Sequence, residues 1–179
     1  MKIFIFLIMG IFFSSCTSTI YIVRHAEKST NPKSDPHLTA QGEQRAVALK
    51  VLLQKKKIKQ IFSTNTNRTK ETAMPISNFV HVPIQLYNND TTLNFFRNIF
   101  ISKKNTLVIG HSNTVLNMID SLGLKRKIKT IADDAYDNIF IIKVKKYCRS
   151  CLNPFKASLK ETKYGIVNLI DSTANKMKQ

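Results

Sequence analysis

The sequence predicts an α/β sandwich with three layers, in which helices cover both faces of a mostly parallel central sheet. Short runs of β-branched and aromatic residues alternate along the chain with longer stretches whose apolar residues recur every three or four positions. This alternation is typical of strand–helix–strand units, which build parallel sheets. A length of 179 residues and a hydrophobic fraction of 43% suit one domain with one core.

The predicted elements begin with a buried strand at 20–23, followed by a helix that Thr39 caps and that ends near residue 54. Further strands are predicted at 59–62, 83–87 and 106–109. Further helices are predicted at 67–79 with an interruption near Pro75, at 91–101 and at 113–122. Two last strands at 138–144 and 155–159 are compatible with a hairpin.

The first 16 residues have the order of an export signal. Lys2 precedes an apolar run at 3–13, and Ser14, Ser15 and Cys16 follow it. The run is shorter than the roughly 20 residues that a membrane-spanning helix needs. A cysteine after two small residues resembles the lipobox of bacterial lipoproteins, in which cleavage leaves that cysteine as the lipidated first residue.

We therefore expect a signal peptide at 1–15, a short tether at 16–19 and one domain at 20–179. The mature protein is expected to be exported and anchored through Cys16 to a bacterial membrane, facing the periplasm or the cell exterior. Membrane lipid is thus one expected partner.

The formal net charge of +17 does not by itself indicate a nucleic-acid partner. Most of the positive charge is lysine spread along the chain, without the interleaved aromatic residues that stack on bases. We expect a solvated lysine surface and no nucleic acid. Attraction to anionic lipid or to phosphorylated small molecules is compatible with the same charge.

Two common kinds of site are not predicted. The five glycines are too far apart to form a G-x-G-x-x-G or G-x-x-x-x-G-K-[ST] loop, so neither nucleotide-binding loop is present. The four histidines stand singly, and the chain has one C-x-x-C pair, so a zinc site would need ligands from distant segments. We expect no metal.

Residues suited to binding an anion follow three of the predicted strands. Arg24 and His25 follow the first strand, Arg68 lies shortly after the second, and His111 follows the strand at 106–109. In open α/β sheets the ligand crevice lies beyond the carboxyl ends of the strands. Guanidinium groups match the oxygens of a phosphoryl group, and an imidazole can act as nucleophile or donor. The pattern therefore predicts an anion site at this edge.

The helix expected after His111 adds backbone N–H groups that favour an anion at its first turn. Ser112 and Asn113 lie at this helix start. Their side chains either donate to the bound anion or cap the helix.

Four segments carry a resemblance to a known family. They cover 22–28, 38–46, 63–73 and 108–114, and they resemble the histidine phosphatase superfamily, with its phosphoglycerate-mutase-like fold. They occur in family order over most of the chain after residue 16. Ala26 departs from the glycine that usually follows the family's histidine, a difference of one methyl group.

The resemblance implies a role for each of the four basic residues. It makes His25 the nucleophile that accepts the phosphoryl group, and it makes Arg24, Arg68 and His111 the groups that hold the phosphoryl oxygens. It implies no cofactor. The proton donor to the leaving group is expected to be Asp90, with Glu27 second and the pair Asp133 and Asp134 third; Asp90 is equally compatible with capping the helix that follows it.

The expected function is therefore a phosphatase that hydrolyses a phosphomonoester or phosphoramidate through a phosphohistidine intermediate. Its substrate would be a phosphorylated small molecule or a phosphoprotein. The alternative is an inactive phosphate-pocket fold that serves as a basic, membrane-tethered module binding anionic lipid or glycan.

Overall fold

The computed structural model describes residues 17–88, 93–146 and 155–165. The described residues form six strands: β1 (Thr17–Arg24), β2 (Gln60–Ser63), β3 (Ile84–Leu86), β4 (Thr106–Gly110), β5 (Asn138–Lys146) and β6 (Phe155–Lys163). They also form four helices: α1 (Ala40–Leu53), α2 (Asn67–Val80), α3 (Leu93–Ser102) and α4 (Ser112–Ser121). None of the helices in these ranges has the length and apolar character needed to cross a bilayer.

The strands form a single mixed sheet in the order β3-β2-β4-β1-β5-β6. The first four strands in this order are parallel, whereas β5 pairs antiparallel with both β1 and β6. The predicted hairpin and the predicted mostly parallel sheet are therefore confirmed. The sheet places the carboxyl ends of β1, β2 and β4 side by side.

Helices cover both faces of the sheet, as predicted. α1 and α2 contribute Leu49, Leu53, Ala73 and Ile76 to the core on one face. α3 and α4 contribute Phe96, Ile99, Val115 and Ile119 to the core on the other face. Successive side chains of β1 alternate between these two cores, because side chains point to opposite faces of a strand.

β1 begins earlier than the sequence indicates. Residues 17–19, expected in the tether, lie in this strand, with Thr17 opposite Lys145 and Thr19 opposite Lys143 of β5. The tether prediction is wrong for these three residues. Their polar side chains give no hydrophobic pattern that predicts a strand. The pairing of these residues depends instead on backbone hydrogen bonds to β5.

α2 is also continuous where an interruption was expected. Pro75 lies inside the helix, where it removes the N–H that would bond to the carbonyl of Glu71. Ala73 and Ile76, on either side of Pro75, are fully buried against the sheet. Their packing holds the turn in helical geometry despite the lost bond.

Gly42 allows α1 to begin in contact with the chain that follows β1. A Cβ atom at this position would lie 2.2 Å from the carbonyl oxygen of Glu27, a distance that no side chain tolerates. The same carbonyl accepts a hydrogen bond from the backbone N–H of Thr39, the residue that caps α1 through the N–H of Gly42. α1 thereby fixes the segment that follows His25.

Candidate active site

The two predicted site histidines meet at the carboxyl end of the sheet. Arg24 and Gly110 are opposite each other at the ends of β1 and β4, and the backbone N–H of His25 donates to the Gly110 carbonyl at 2.9 Å. His111 follows Gly110, so the pairing of the two strands brings the histidine side chains together. Their ring centroids are 5.5 Å apart, with the ring planes at 65°.

His25 is buried, with 3% of its surface exposed, and is held in one orientation. Its Nδ1 atom lies 2.7 Å from the carbonyl oxygen of Ala26. A carbonyl only accepts, so Nδ1 carries the proton and Nε2 keeps its lone pair. The backbone N–H of Ala26 donates in turn to Thr72 Oγ1 of α2 at 2.9 Å. The ring thus presents an unprotonated nitrogen from a fixed position.

The electrostatic surroundings keep this imidazole neutral. Burial lowers the pKa of His25 to about 3, and the positive charge of Arg24 acts in the same direction. Burial likewise lowers the pKa of His111 to about 4, and the charge of Arg68 adds to that effect. A neutral imidazole is the form that can act as a nucleophile, so His25 has this form at neutral pH.

Arg24 is also buried, and its guanidinium group has fixed neighbours. Nη1 donates to the carbonyl of Ala132 at 2.8 Å, and the guanidinium carbon lies 4.4 Å from the centre of the Tyr136 ring. Asp133 approaches Nη2 only to 3.9 Å, and its side chain is fully exposed, so this ion pair is screened by water. Arg24 therefore remains largely uncompensated in charge.

Arg68 lies in the first turn of α2, beside the same site. Its Nη1 atom lies 3.5 Å from Asp35 Oδ1, and Asp35 also accepts from the backbone N–H of Asn67 at the start of the helix. Within the described residues, the Nε–H groups of Arg68 and Arg24 are buried without a hydrogen-bond acceptor. Such donors are costly to bury unless something accepts from them, and phosphoryl oxygens are suitable acceptors.

Two groups of this site were not predicted from the sequence. Thr64 Oγ1 lies 3.0 Å from Nε2 of His111 and 3.0 Å from Oγ1 of Thr69, so a hydroxyl pair orients the His111 ring. Tyr136 packs against Arg24 and lies 5.9 Å from His25 between ring centroids. No sequence pattern distinguishes a threonine after a strand, or a tyrosine in an irregular segment, from residues outside the site.

The structure does not place the remaining predicted residues together at the site. Ser112 begins α4, and the exposed Asn113 accepts with its side chain from the backbone N–H of Thr114 at 2.9 Å. That bond satisfies the helix start, so it supports the capping interpretation for Asn113. Asp90 and Cys16 lie outside the described residues.

Glu27, the second expected proton donor, is committed elsewhere. It accepts from Nε and Nη2 of Arg45 at 2.8 and 2.6 Å, and each of these side chains is 12% exposed. This two-point ion pair ties the segment after His25 to α1. The structure thus gives Glu27 a structural role as the partner of Arg45. Asp133 is exposed near Arg24, and Asp134 is exposed beside it.

No group of three or more histidine, cysteine, aspartate or glutamate side chains within 17–88, 93–146 and 155–165 is arranged to hold a metal ion.

Comparison with known proteins first defines the fold. Over 91% of this chain and 98% of the other, the structure resembles mycobacterial hydrolase 2, with a TM-score of 0.67 at 11% identity. It resembles mycobacterial glucosyl-3-phosphoglycerate phosphatase over 80% of this chain and 97% of the other, with a TM-score of 0.62 at 11% identity. For the protein histidine phosphatase SixA complexed with tungstate, the coverages are 81% and 96%, the TM-score 0.60 and the identity 14%. The phosphoglycerate-mutase-like fold is therefore confirmed.

The sequence comparison finds a family that matches part of the chain. The model of the histidine phosphatase superfamily (branch 1) matches residues 20–89. This confirms the resemblance to that superfamily, and the matched segment contains Arg24, His25 and Arg68. His111 lies beyond it and is placed at the site by the pairing of β4 with β1. No curated protein sequence matches the chain at a significant level.

Proposed function

We propose that this protein is a phosphatase that hydrolyses a phosphomonoester or phosphoramidate through a phosphohistidine on His25. The observation that carries the proposal is the state of His25. Its Nε2 atom is unprotonated, because Nδ1 donates to the Ala26 carbonyl and burial holds the pKa of the ring at about 3. This nucleophile lies among two guanidinium groups and a second imidazole.

The reaction has two steps that this site can support. In the first, the Nε2 lone pair of His25 attacks phosphorus, and the P–O or P–N bond to the leaving group breaks with its electron pair. In the second, water attacks the phosphohistidine, releases inorganic phosphate and restores neutral His25. Charge develops on the phosphoryl oxygens in both steps, so the fixed donors of Arg24, Arg68 and His111 stabilise the transition states.

The leaving group receives a proton when it departs as a strong base. We propose Asp90 for this role, with exposed Asp133 near Arg24 as the alternative among the described residues. General acid help is worth about 10²- to 10⁴-fold for an alkoxide and little for a leaving group that departs as a stable anion. Asp90→Asn should therefore slow alkyl phosphates strongly and p-nitrophenyl phosphate little, whereas an equal loss on both would make Asp90 a structural cap.

The proposed substrate is a phosphorylated small molecule or a phosphoprotein. Two similar folds belong to a glucosyl-3-phosphoglycerate phosphatase and to a protein histidine phosphatase, so both classes are handled by this architecture. The alternative of an inactive binding module is disfavoured, because the site keeps all four basic residues with an unprotonated nucleophile.

Trapping of the intermediate tests the proposal. Wild type and His25→Ala are compared with His81→Asn, which alters an exposed histidine at the end of α2 where asparagine accepts the positive φ. We expect turnover of p-nitrophenyl phosphate and an acid-labile, base-stable phosphoenzyme in wild type and His81→Asn, and neither in His25→Ala. Full activity of His25→Ala would overturn the mechanism.

We also propose that the protein is exported and lipid-anchored through Cys16. The support is the order of residues 2–16, with one lysine, an apolar run and two serines before the cysteine. Fractionation of cells followed by a high-salt wash of the membranes tests it, since salt releases proteins held by charge alone; wild type should stay with the membranes and Cys16→Ala should not. Equal amounts of both in the soluble fraction would exclude the lipid.

A further inference from the structure

Exposed lysines gather at the end of the sheet opposite the candidate site. We call this set the lysine end, and it surrounds the starts of β1, β2 and β4. Its members are all exposed and come from three places in the chain: Lys55, Lys56, Lys57 and Lys59 before β2, Lys103 and Lys104 before β4, and Lys143, Lys145 and Lys156 on the β5–β6 hairpin. The contributing segments 54–59, 102–105, 143–146 and 155–158 contain no acidic residue.

Asn105 holds these segments together. Its side-chain oxygen accepts from the backbone N–H of Thr19 at 2.9 Å, and its Nδ2 donates to the carbonyl of Lys56 at 2.7 Å. Its own carbonyl accepts from the backbone N–H of Lys59 at 2.8 Å. The lysine end is therefore a fixed part of the fold and not a chance approach of loose loops.

The charge of the lysine end is not neutralised by the part of the protein that the structure describes. No ion pair among the described residues includes any of its nine members. Lys145 and Lys156 are directly opposite each other on adjacent strands, an arrangement in which like charges destabilise the sheet. An external anionic surface would relieve that repulsion.

We propose that the lysine end is a docking surface for an anionic lipid bilayer. β1 begins inside it, since Thr17 is opposite Lys145, and the chain before Thr17 is Cys16 and the apolar run at 3–13. The charges therefore surround the point from which the most apolar part of the chain continues. Lysines are flexible, strongly hydrated point charges, which suits mobile lipid headgroups better than one rigid ligand. This inference does not depend on the phosphatase activity.

Vesicle binding of the full chain tests the proposal, with Cys16→Ala in every sample so that no lipid is attached. The test variant is Lys55→Gln/Lys56→Gln/Lys57→Gln. The matched control is Lys125→Gln/Lys127→Gln/Lys129→Gln, which removes the same charge from three equally exposed lysines elsewhere. These three lysines lie toward the other end of the sheet. The backbone N–H of Lys127 donates to the side chain of Glu161, and Glu161 is opposite Phe140 on β5. Phe140 in turn pairs with β1 near the carboxyl end of that strand.

Each lysine near an anionic surface strengthens binding about fivefold, so the test variant should lose on the order of 100-fold in partitioning onto vesicles of phosphatidylcholine containing phosphatidylglycerol. The control should lose much less, and added salt should weaken wild-type binding. Equal losses in the two variants would overturn the proposal, as would a loss that is the same on phosphatidylcholine alone.

A second variant guards against a folding defect. Lys143→Gln/Lys145→Gln/Lys156→Gln removes the hairpin part of the lysine end and also removes the repulsion between Lys145 and Lys156. We expect it to unfold at the same or a higher temperature than wild type and to lose binding to a similar extent. Undiminished binding by this folded variant would contradict the proposal.

Discussion

The two ends of the sheet hold positive charge in opposite ways. At the carboxyl end, Arg24 is 4% exposed, and its guanidinium group is fixed by a carbonyl and an aromatic ring. At the amino end, the lysines are exposed, and none has an ion-pair partner among the described residues. A guanidinium group held in one orientation can select a ligand by geometry, whereas the lysines respond only to charge. The two proposals thus assign two different kinds of anion recognition to one cationic protein.

Replacing the site arginines by lysine should show most clearly whether the site recognises an anion by geometry or by charge alone. Arg24→Lys and Arg68→Lys keep the charge and remove the planar donor arrangement, so each should lower kcat/KM about 10²- to 10³-fold. Steady-state kinetics with p-nitrophenyl phosphate measure the loss. Lys56→Gln, which removes a charge from the lysine end, should leave kcat/KM unchanged. Near-normal activity of the two arginine variants would show that charge alone suffices at the site.

Ion pairs at different depths should differ in stability. Glu27→Gln leaves Arg45 partly buried without its carboxylate and should lower the free energy of unfolding by about 3 kcal/mol. Asp120→Asn breaks the exposed pair with Arg126 and should lower the free energy of unfolding much less, because water screens exposed ion pairs. Urea unfolding measures both. A stable Glu27→Gln protein that had lost activity toward alkyl phosphates would instead identify Glu27 as the proton donor.

The site histidines should make the protein sensitive to acid. The pKa of His25 is about 3 in the folded protein against an ordinary 6.5, so below 6.5 the unfolded chain binds a proton that the folded protein does not. The contribution of His25 to stability is complete above pH 6.5 and is lost progressively as the pH falls toward 3. One pH unit below 6.5 the loss is about 1.4 kcal/mol for one such histidine.

Urea unfolding of wild type and His25→Gln at several pH values measures this effect. The variant should lose less stability than wild type between neutral pH and about pH 5, because glutamine takes up no proton. Identical pH dependence of the two proteins would contradict the neutral, buried state of His25. His111, whose pKa is lowered to about 4, should contribute in the same direction.

Much of the fold was predictable because it depends on local patterns. The strand runs and helical periodicities placed every element within a few residues, and the order of strands and helices gave the layers. Residues 17–19 were missed because polar side chains can lie in a strand whose partner is distant in sequence. The interruption predicted near Pro75 was wrong because tertiary packing keeps α2 helical despite the proline.

The candidate site was predictable only in part. Arg24 ends β1, and His25 and His111 directly follow β1 and β4, so the pairing of these strands brings the three residues together. Tyr136 comes from an irregular segment, and Thr64 acts through a hydrogen bond to a residue 47 positions away. Such contacts depend on side-chain placement in the folded molecule, which no local pattern encodes.

β1 runs from the lysine end to the candidate site, so its length sets the distance between a docked bilayer and His25. Its eight residues span about 25 Å from Thr17, at the lysine end, to Arg24, beside His25. A domain docked through the lysine end would hold its nucleophile that far above the headgroups and facing away from them. Phosphates of the same bilayer would then be beyond its reach, so its substrates would arrive from the aqueous side.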